Sequence, residues 1–306
     1  MQRFRVFLPR ATRAHHFHFQ PYLGPTSSTS PTVLFRRTLF LETVSNPVKL
    51  NKLSDSDAGI VEVKLDRAEV KNAIGKEMVR GLQSAFEFID RDSSARVILI
   101  SSAVPGVFCA GADLKERKKQ TSSEVHQFVH SLRSTFSSLE ALPLPTIAVI
   151  EGAALGGGLE LVLSCDLRVC GEDARFGMPE TGLAIIPGAG GTHRLPRVVG
   201  RSIAKELVFT GRRVDGKEAL SMGLVNHCVS AGKAYLKALQ IARDINQKGP
   251  LAIRMAKKAI SQGVEAEMSS ALAVEEECYA QLLNTEDRLE GLAAFAEKRK
   301  PRYTGK

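Results

Sequence analysis

Residues 142–164 constrain the fold of this 306-residue chain more tightly than any other stretch. They carry only two charges, Glu151 and Glu160, so nearly all of the segment has to be buried. Pro143, Pro145, Gly152 and the run Gly156, Gly157, Gly158 break it too often for one long apolar helix. For the same reason it makes a poor membrane span, and no other stretch offers one. A buried strand over residues 146–150, a tight glycine turn and a core helix beginning near Leu159 fit the pattern.

The flanking segments extend this reading. Val61, Val63 and Leu65 alternate with Glu62 and Lys64, which predicts a half-buried strand. Residues 76–90 place Met78, Leu82, Ala85, Phe86 and Ile89 on one helical face. The run Val97, Ile98, Leu99, Ile100 predicts a strand buried on both sides. A second amphipathic helix is expected over residues 122–142, ended by the prolines. Strand and helix patterns alternate to about Val229, the signature of an α/β fold. From Pro250 onward the pattern is helical: residues 250–262, 266–283, and a helix capped by Thr285 running to about Arg299. Met268, Leu272, Tyr279 and Leu283 form an apolar stripe that needs a surface to cover.

The net charge of +9 invites a nucleic-acid reading, but its distribution argues against one. Six arginines and no acidic residue precede Glu42, which leaves a net charge of only +3 for residues 42–306. An Arg-rich, Ser-containing, acid-free leader has the composition of an organellar transit peptide, mitochondrial rather than plastid because Arg outweighs Ser. The expected organisation is a cleaved, disordered leader over residues 1–41, an α/β core over 42–245 and a helical segment over 246–306. The five cysteines are scattered, with no CxxC pair, and no cluster has metal-ligand spacing.

Two stretches hold features that packing alone does not explain. Residues 108–116, Phe-Cys-Ala-Gly-Ala-Asp-Leu-Lys-Glu, follow a buried strand, and their small side chains let a ligand approach backbone N–H groups. Residues 156–160, Gly-Gly-Gly-Leu-Glu, put three glycines before a helical pattern, where free N–H groups suit an oxyanion. Neither matches a nucleotide-binding glycine motif. Glu160 lies among Leu159, Leu161, Val162 and Leu163, and Glu180 lies in the apolar, glycine-rich run 176–183. A carboxylate in such surroundings either pairs with an arginine (Arg168, Arg175, Arg194 or Arg197) or serves as an acid or base near neutrality. A Ser164–His193–Asp166 triad is disfavoured because no GxSxG elbow surrounds the serine, and His193 reads as a structural donor.

The motifs CAGADLKE at residues 109–116, EGAALGGGLELVLSCDLRV at 151–169 and FGMPETGLAIIPGAGGTHRLPRVVG at 176–200 closely resemble the enoyl-CoA hydratase/isomerase (crotonase) superfamily. The resemblance runs from about Ile60 to the carboxyl end. It implies a spiral of ββα units followed by a C-terminal helical trimerisation segment, assembled as a homotrimer or a dimer of trimers. It implies an acyl-CoA thioester substrate, with the N–H groups of Ala112 and Gly157 as oxyanion hole and Glu160 and Glu180 as the catalytic carboxylates. CoA contacts are implied for Arg67 and Val70, for Ala110, Gly111, Ala112, Asp113, Leu114 and Lys115, for Gly157, and for Phe295 and Lys298 in the tail. No metal or redox cofactor is implied, since coenzyme A is part of the substrate.

Because both glutamates are present, the resemblance favours hydration of a 2-trans-enoyl-CoA, in fatty-acid β-oxidation or branched-chain amino-acid breakdown, in the mitochondrial matrix. Residues 104–119 also look like the branch that hydrates 3-methylglutaconyl-CoA in leucine breakdown, in which one member binds RNA through a Lys-rich helix. The matching helix here, residues 76–90, has only Lys76 and Arg80 as basic residues, so RNA binding is not expected to carry over.

Overall fold

The structure, a computed structural model, describes residues 40–45 and 47–306, with side chains from residue 47 onward. The leader predicted for residues 1–41 therefore lies outside the described residues, except for its last two, 40 and 41, which belong to strand β1 (Phe40–Ser45). The elements that follow are β2 (Val48–Lys52), β3 (Ile60–Leu65), α1 (Lys76–Arg91), β4 (Val97–Ser102), β5 (Val107–Cys109), α2 (Leu114–Arg117) and α3 (Ser122–Ala141). Then come β6 (Thr146–Ile150), β7 (Ala153–Leu155), α4 (Gly157–Leu163), β8 (Leu167–Gly171), β9 (Arg175–Gly177), α5 (Gly191–Val199) and α6 (Arg201–Thr210). The chain continues through β10 (Val214–Asp215), α7 (Gly216–Ser221), β11 (His227–Val229) and α8 (Ala234–Asn246), and finishes with α9 (Pro250–Gly263), α10 (Met268–Ala280) and α11 (Glu286–Ala296).

Seven strands form one sheet in the order β1-β2-β3-β4-β6-β8-β11, parallel from β3 onward. Four short strands form a second sheet, β10-β9-β7-β5. The chain repeatedly lays one strand in the large sheet, the next in the small sheet, and then a helix: β4-β5-α2, β6-β7-α4, β8-β9-α5. This is the ββα winding expected from the resemblance.

The apolar runs explain why the large sheet is covered on both faces. Ile60, Val97, Leu99, Ile147, Val149 and Val169 pack on Ala234, Ala238, Leu239 and Ala242 of α8. Their alternates, including Val61, Val63, Ile98, Ile100, Ala148 and Ile150, pack toward α1, α3 and α4. Each Val, Leu or Ile among them contributes about 1.5–3 kcal/mol on burial.

One expectation fails here. Strand β3 is not half-buried, because Glu62 is itself buried. It sits between two strands that carry donors. Asn51, its register partner on β2, donates through Nδ2 at 3.1 Å, and Ser101 on β4 donates through Oγ at 2.7 Å. Lys64 Nζ completes the shell at 3.2 Å.

Beyond α8 the helices α9 and α10 pack against each other. The stripe predicted on α10 faces outward, with Met268, Leu272 and Tyr279 all exposed. The final residues fold back on α11, where the Asp287 carboxylate accepts hydrogen bonds from the N–H groups of Thr304 (2.6 Å) and Gly305 (2.9 Å). Among the described residues no helix is long and apolar enough to cross a membrane.

Candidate active site

The site grows from the turn between β7 and α4. Gly156 has φ +51° and ψ −123°, and a Cβ on it would lie 2.8 Å from Glu180 Oε1. A Cβ on Gly158 would lie 2.3 Å from the carbonyl oxygen of Cys109. Only glycines let the first turn of α4 press this closely on the end of β5. That approach puts Gly157, whose N–H opens the helix, beside Ala112 N, which lies 3.8 Å from the position a Gly157 Cβ would occupy.

Ala112 is held by a parallel bridge to Ile74. Ile74 N–H donates to Gly111 O (2.7 Å) and Asp113 N–H donates to Ile74 O (3.0 Å). The bridge uses the groups on either side of Ala112, so its own N–H points away from Ile74. The N–H groups of Ala112 and Gly157 thus lie near each other, and a pair of backbone donors suits an oxyanion.

Glu160 projects from the first turn of α4 and is only 3% exposed. Its Oε1 accepts hydrogen bonds from the N–H groups of Ala189 (2.8 Å) and Gly191 (2.7 Å). Burial raises its pKa, and those two N–H bonds, then the charges of Arg194 and Arg117, oppose the rise. Oε2 is left on the Gly157 side, 4.0 Å from the would-be Gly157 Cβ.

Glu180 follows Pro179 in a short 3-10 turn over Pro179–Leu183. Burial pushes its carboxyl up to about 7; the hydrogen bond from its own N–H opposes this, the Glu160 charge adds to it, and the Arg117 charge also lowers it. Its Oε2 is buried without a hydrogen-bond partner. A carboxylate with one oxygen held by backbone donors, beside a second able to hold a proton near neutrality, has the properties that acid–base chemistry calls for.

The arginines that offered a purely structural explanation for these glutamates are engaged elsewhere. Arg168 donates to Leu224 O and Cys165 O, and Arg175 to Glu172 O and Ala174 O. Arg194 pairs with Glu140 and Arg197 with Glu265. The serine triad is not assembled, since Ser164 Oγ donates to Glu160 O and Asp166 binds Thr146 and Lys257. His193, expected as a structural donor, is instead exposed at the start of α5 and lines the cavity, and its ring makes no hydrogen bond among the described residues.

A cavity of about 820 Å³ joins these groups. Ala110, Gly111, Ala112, Leu114, Gly157, Glu160 and Glu180 line it. Its far wall is apolar, from Val125, Val129 and Leu132 of α3 and from Ile185 and Ile186. The other residues singled out from the resemblance lie off its wall. Arg67 holds the rim together through Nη1, which donates to Ala73 O and Asp113 Oδ2, both at 3.1 Å. Asp113 also caps α2 by accepting from Glu116 N–H at 3.1 Å. Val70 lies in the 3-10 turn before that rim, and Lys115 is exposed on α2. Phe295, 87% exposed on α11, and Lys298 just beyond it are not part of the cavity within one chain.

Sequence reasoning overlooked four contributors. Asn72, fully buried at φ 55°, accepts from Arg67 N–H and donates to Ser102 Oγ and Phe108 O, which pins the loop behind Ala112. Asparagine tolerates that left-handed conformation, and this was the available signal. The donors from Ala189 and Gly191 are backbone groups, and no side-chain pattern announces them. Arg117 enters the cavity from the end of α2, where it reads as one more surface cation. Among the described residues no group of three or more His, Cys, Asp or Glu could hold a metal ion.

Comparison with known proteins agrees with this geometry. A sequence profile for enoyl-CoA hydratase/isomerase matches residues 55–306. The chain is 68% identical over 271 residues to probable enoyl-CoA hydratase 2, mitochondrial, of Arabidopsis thaliana, covering 88% of this chain and 90% of that one. It is 51% identical over 262 residues to the human methylglutaconyl-CoA hydratase, mitochondrial, covering 84% and 77%. The crystal structure of an enoyl-CoA hydratase from Bacillus anthracis superposes with a TM-score of 0.82 at 42% identity, covering 85% of this chain and all of that one. A paired-glutamate cavity on a ββα spiral, in a chain this similar throughout, makes this protein a member of the enoyl-CoA hydratase/isomerase family of enzymes.

Proposed function

We propose that the chain adds water across the 2,3-double bond of a 2-trans-enoyl-CoA to give the 3-hydroxyacyl-CoA. The observation that carries this reading is that Glu160 and Glu180, neither bound to an arginine, share one cavity with the paired N–H groups of Ala112 and Gly157. With the thioester oxygen between those donors, the charge that develops on it as water attacks C3 is stabilised by about 3–4 kcal/mol per donor. Glu160 Oε2 takes the proton of the attacking water, and Glu180 delivers a proton to C2. The proton that Glu160 gains returns to Glu180 through solvent, so both carboxyls are restored and each turnover adds one water to the substrate.

Hydration moves a proton and a hydroxide without electron transfer, so it calls for no redox cofactor. Coenzyme A arrives as part of the substrate. The exposed stripe on α10 and the position of Phe295 off the cavity support a homotrimer or dimer of trimers in which neighbouring tails complete the CoA site. The acid-free leader and the mitochondrial relatives support a place in the mitochondrial matrix.

The test is hydration of crotonyl-CoA by the purified protein and by Glu160→Gln and Glu180→Gln. Each variant should retain the fold and lose about 10²–10⁴-fold in kcat, the range for a removed general acid or base. Native rates in either folded variant would sink the proposal.

A further inference from the structure

Arg133 of α3 directs its guanidinium at a single backbone oxygen. Its Nε (3.1 Å) and its Nη2 (2.9 Å) both donate to Gly188 O, and no carboxylate pairs with it among the described residues. The same fork elsewhere in the chain takes both oxygens of a carboxylate, as Arg197 does with Glu265 and Arg243 with Asp57. The oxygen that Arg133 grips belongs to the peptide joining Gly188 to Ala189. The N–H of that same peptide is the Ala189 donor to Glu160 Oε1 at 2.8 Å. A guanidinium, one amide and a buried carboxylate therefore stand in series. Charge drawn toward the carbonyl end makes the N–H end a stronger donor, by roughly 10–30% per bond in such chains.

Packing holds the same residue. Val129 lies one helical turn before Arg133 on α3, and a Cβ on Gly188 would lie 3.0 Å from Val129 Cγ1. A second grip comes through Arg194, which Glu140 of α3 holds and whose Nη1 donates to Ala189 O at 2.9 Å. That oxygen belongs to the next peptide, whose N–H is not a donor to Glu160 among the described residues. Of the two arginines, only Arg133 bonds the carbonyl of a peptide whose own N–H reaches the carboxylate. The other charged or titratable groups lining the cavity are Arg117, Glu180 and His193, and Arg194 acts on Glu160 from α5.

We propose that Arg133 is a positioning residue for Glu160, acting through the 188–189 peptide, which it holds with the N–H on Oε1 and polarises so that the carboxylate keeps its charge and its orientation. The assignment rests on Glu160 as the base of the proposed hydration. A hydrogen bond to the charged form of a carboxyl favours that form, so a weaker Ala189 donor lets burial raise the Glu160 carboxyl further. Arg133 is exposed, and substituting it leaves the core intact.

Arg133→Met and Arg133→Lys test this with two readouts. The first is the pH profile of kcat/KM for crotonyl-CoA. Arg133→Met should move the acid limb upward by about 0.5–1 pH unit, a roughly 3- to 10-fold loss on that limb, and leave the limb set by Glu180 in place. Arg133→Lys keeps the charge and should recover part of the shift. The second readout needs no turnover: an infrared titration of the protonated carboxyl band, assigned to Glu160 by its absence from Glu160→Gln. The band should appear at higher pH in Arg133→Met than in the native protein. That shift in a protein that hydrates nothing would overturn the hydratase reading and support the positioning role. A Glu160 band that titrates at the same pH in both proteins would overturn the positioning role. So would a loss confined to KM with the acid limb unmoved, because Arg133 would then hold substrate. An equal fall at every pH would also overturn it, since that marks a loop merely loosened.

Discussion

Glu62 in the large sheet and Glu160 in the cavity are buried almost equally, 2% and 3% exposed, and the two regions use that burial in opposite ways. Glu62 is closed off by side chains: Asn51 and Ser101 donate to it and Lys64 supplies a countercharge. Glu160 is held through one oxygen by the backbone N–H groups of Ala189 and Gly191, while its other oxygen stays on the cavity side. Burial of a carboxylate is therefore no mark of catalysis. The mark is a partner set that fixes the group and leaves one oxygen unspent.

This contrast is most sharply broken by parallel substitution. Glu160→Gln should lose about 10³-fold in kcat with an unchanged melting curve. Glu62→Ala should do the reverse. It strands Asn51, Ser101 and Lys64 and should cost about 2–4 kcal/mol of stability, read by urea denaturation, with kcat per folded molecule retained. If Glu62→Ala instead removed activity from folded protein, the two regions would not be separate.

Changing pH probes the cavity side of the contrast. Glu180 must hold a proton to act as acid, and its carboxyl titrates at about 7. The rate should fall about tenfold per pH unit above that value in a kcat profile. It should also fall in acid as Glu160 takes up a proton, at a pH set by burial against its two N–H bonds. A profile flat from neutrality to pH 9 would remove Glu180 from the acid role.

The smallest effect is on stability. The Glu180 carboxyl keeps its proton to about pH 7 in the folded protein but only to its ordinary 4.5 when unfolded. Its contribution is thus fully present below 4.5 and is lost as pH rises through 7. At pH 8 the folded protein carries a partly buried charge, and Glu180→Gln should raise stability by about 1 kcal/mol, after discounting for solvent access. The same substitution at pH 4 should give no gain.

Much of the architecture was readable in advance. The run of Val97 to Ile100 and the two-charge segment 142–164 could only be buried, and the five apolar positions on α1 appear together in the core as expected. The reading of β3 failed because alternation shows which residues differ in polarity without showing whether a neighbouring strand can satisfy the polar ones. Asn51 and Ser101, eleven and thirty-nine residues from Glu62, supply what the local pattern could not. His193 failed for a related reason, since the direction it faces is set by the turn that starts α5.

By itself the sequence determined the α/β winding, the glycine turn before Glu160 and the exceptional position of the two glutamates. Each is local: a periodicity, a backbone angle only glycine adopts easily, or a charge in an apolar run. Tertiary structure decided what surrounds those glutamates. It sent the candidate arginines to other partners, brought Ala189 and Gly191 N–H groups to one oxygen of Glu160 from about thirty residues away, and left Arg117 unpaired in the cavity. Acid strength depends on groups distant in sequence, because desolvation and charge act through space and not along the chain.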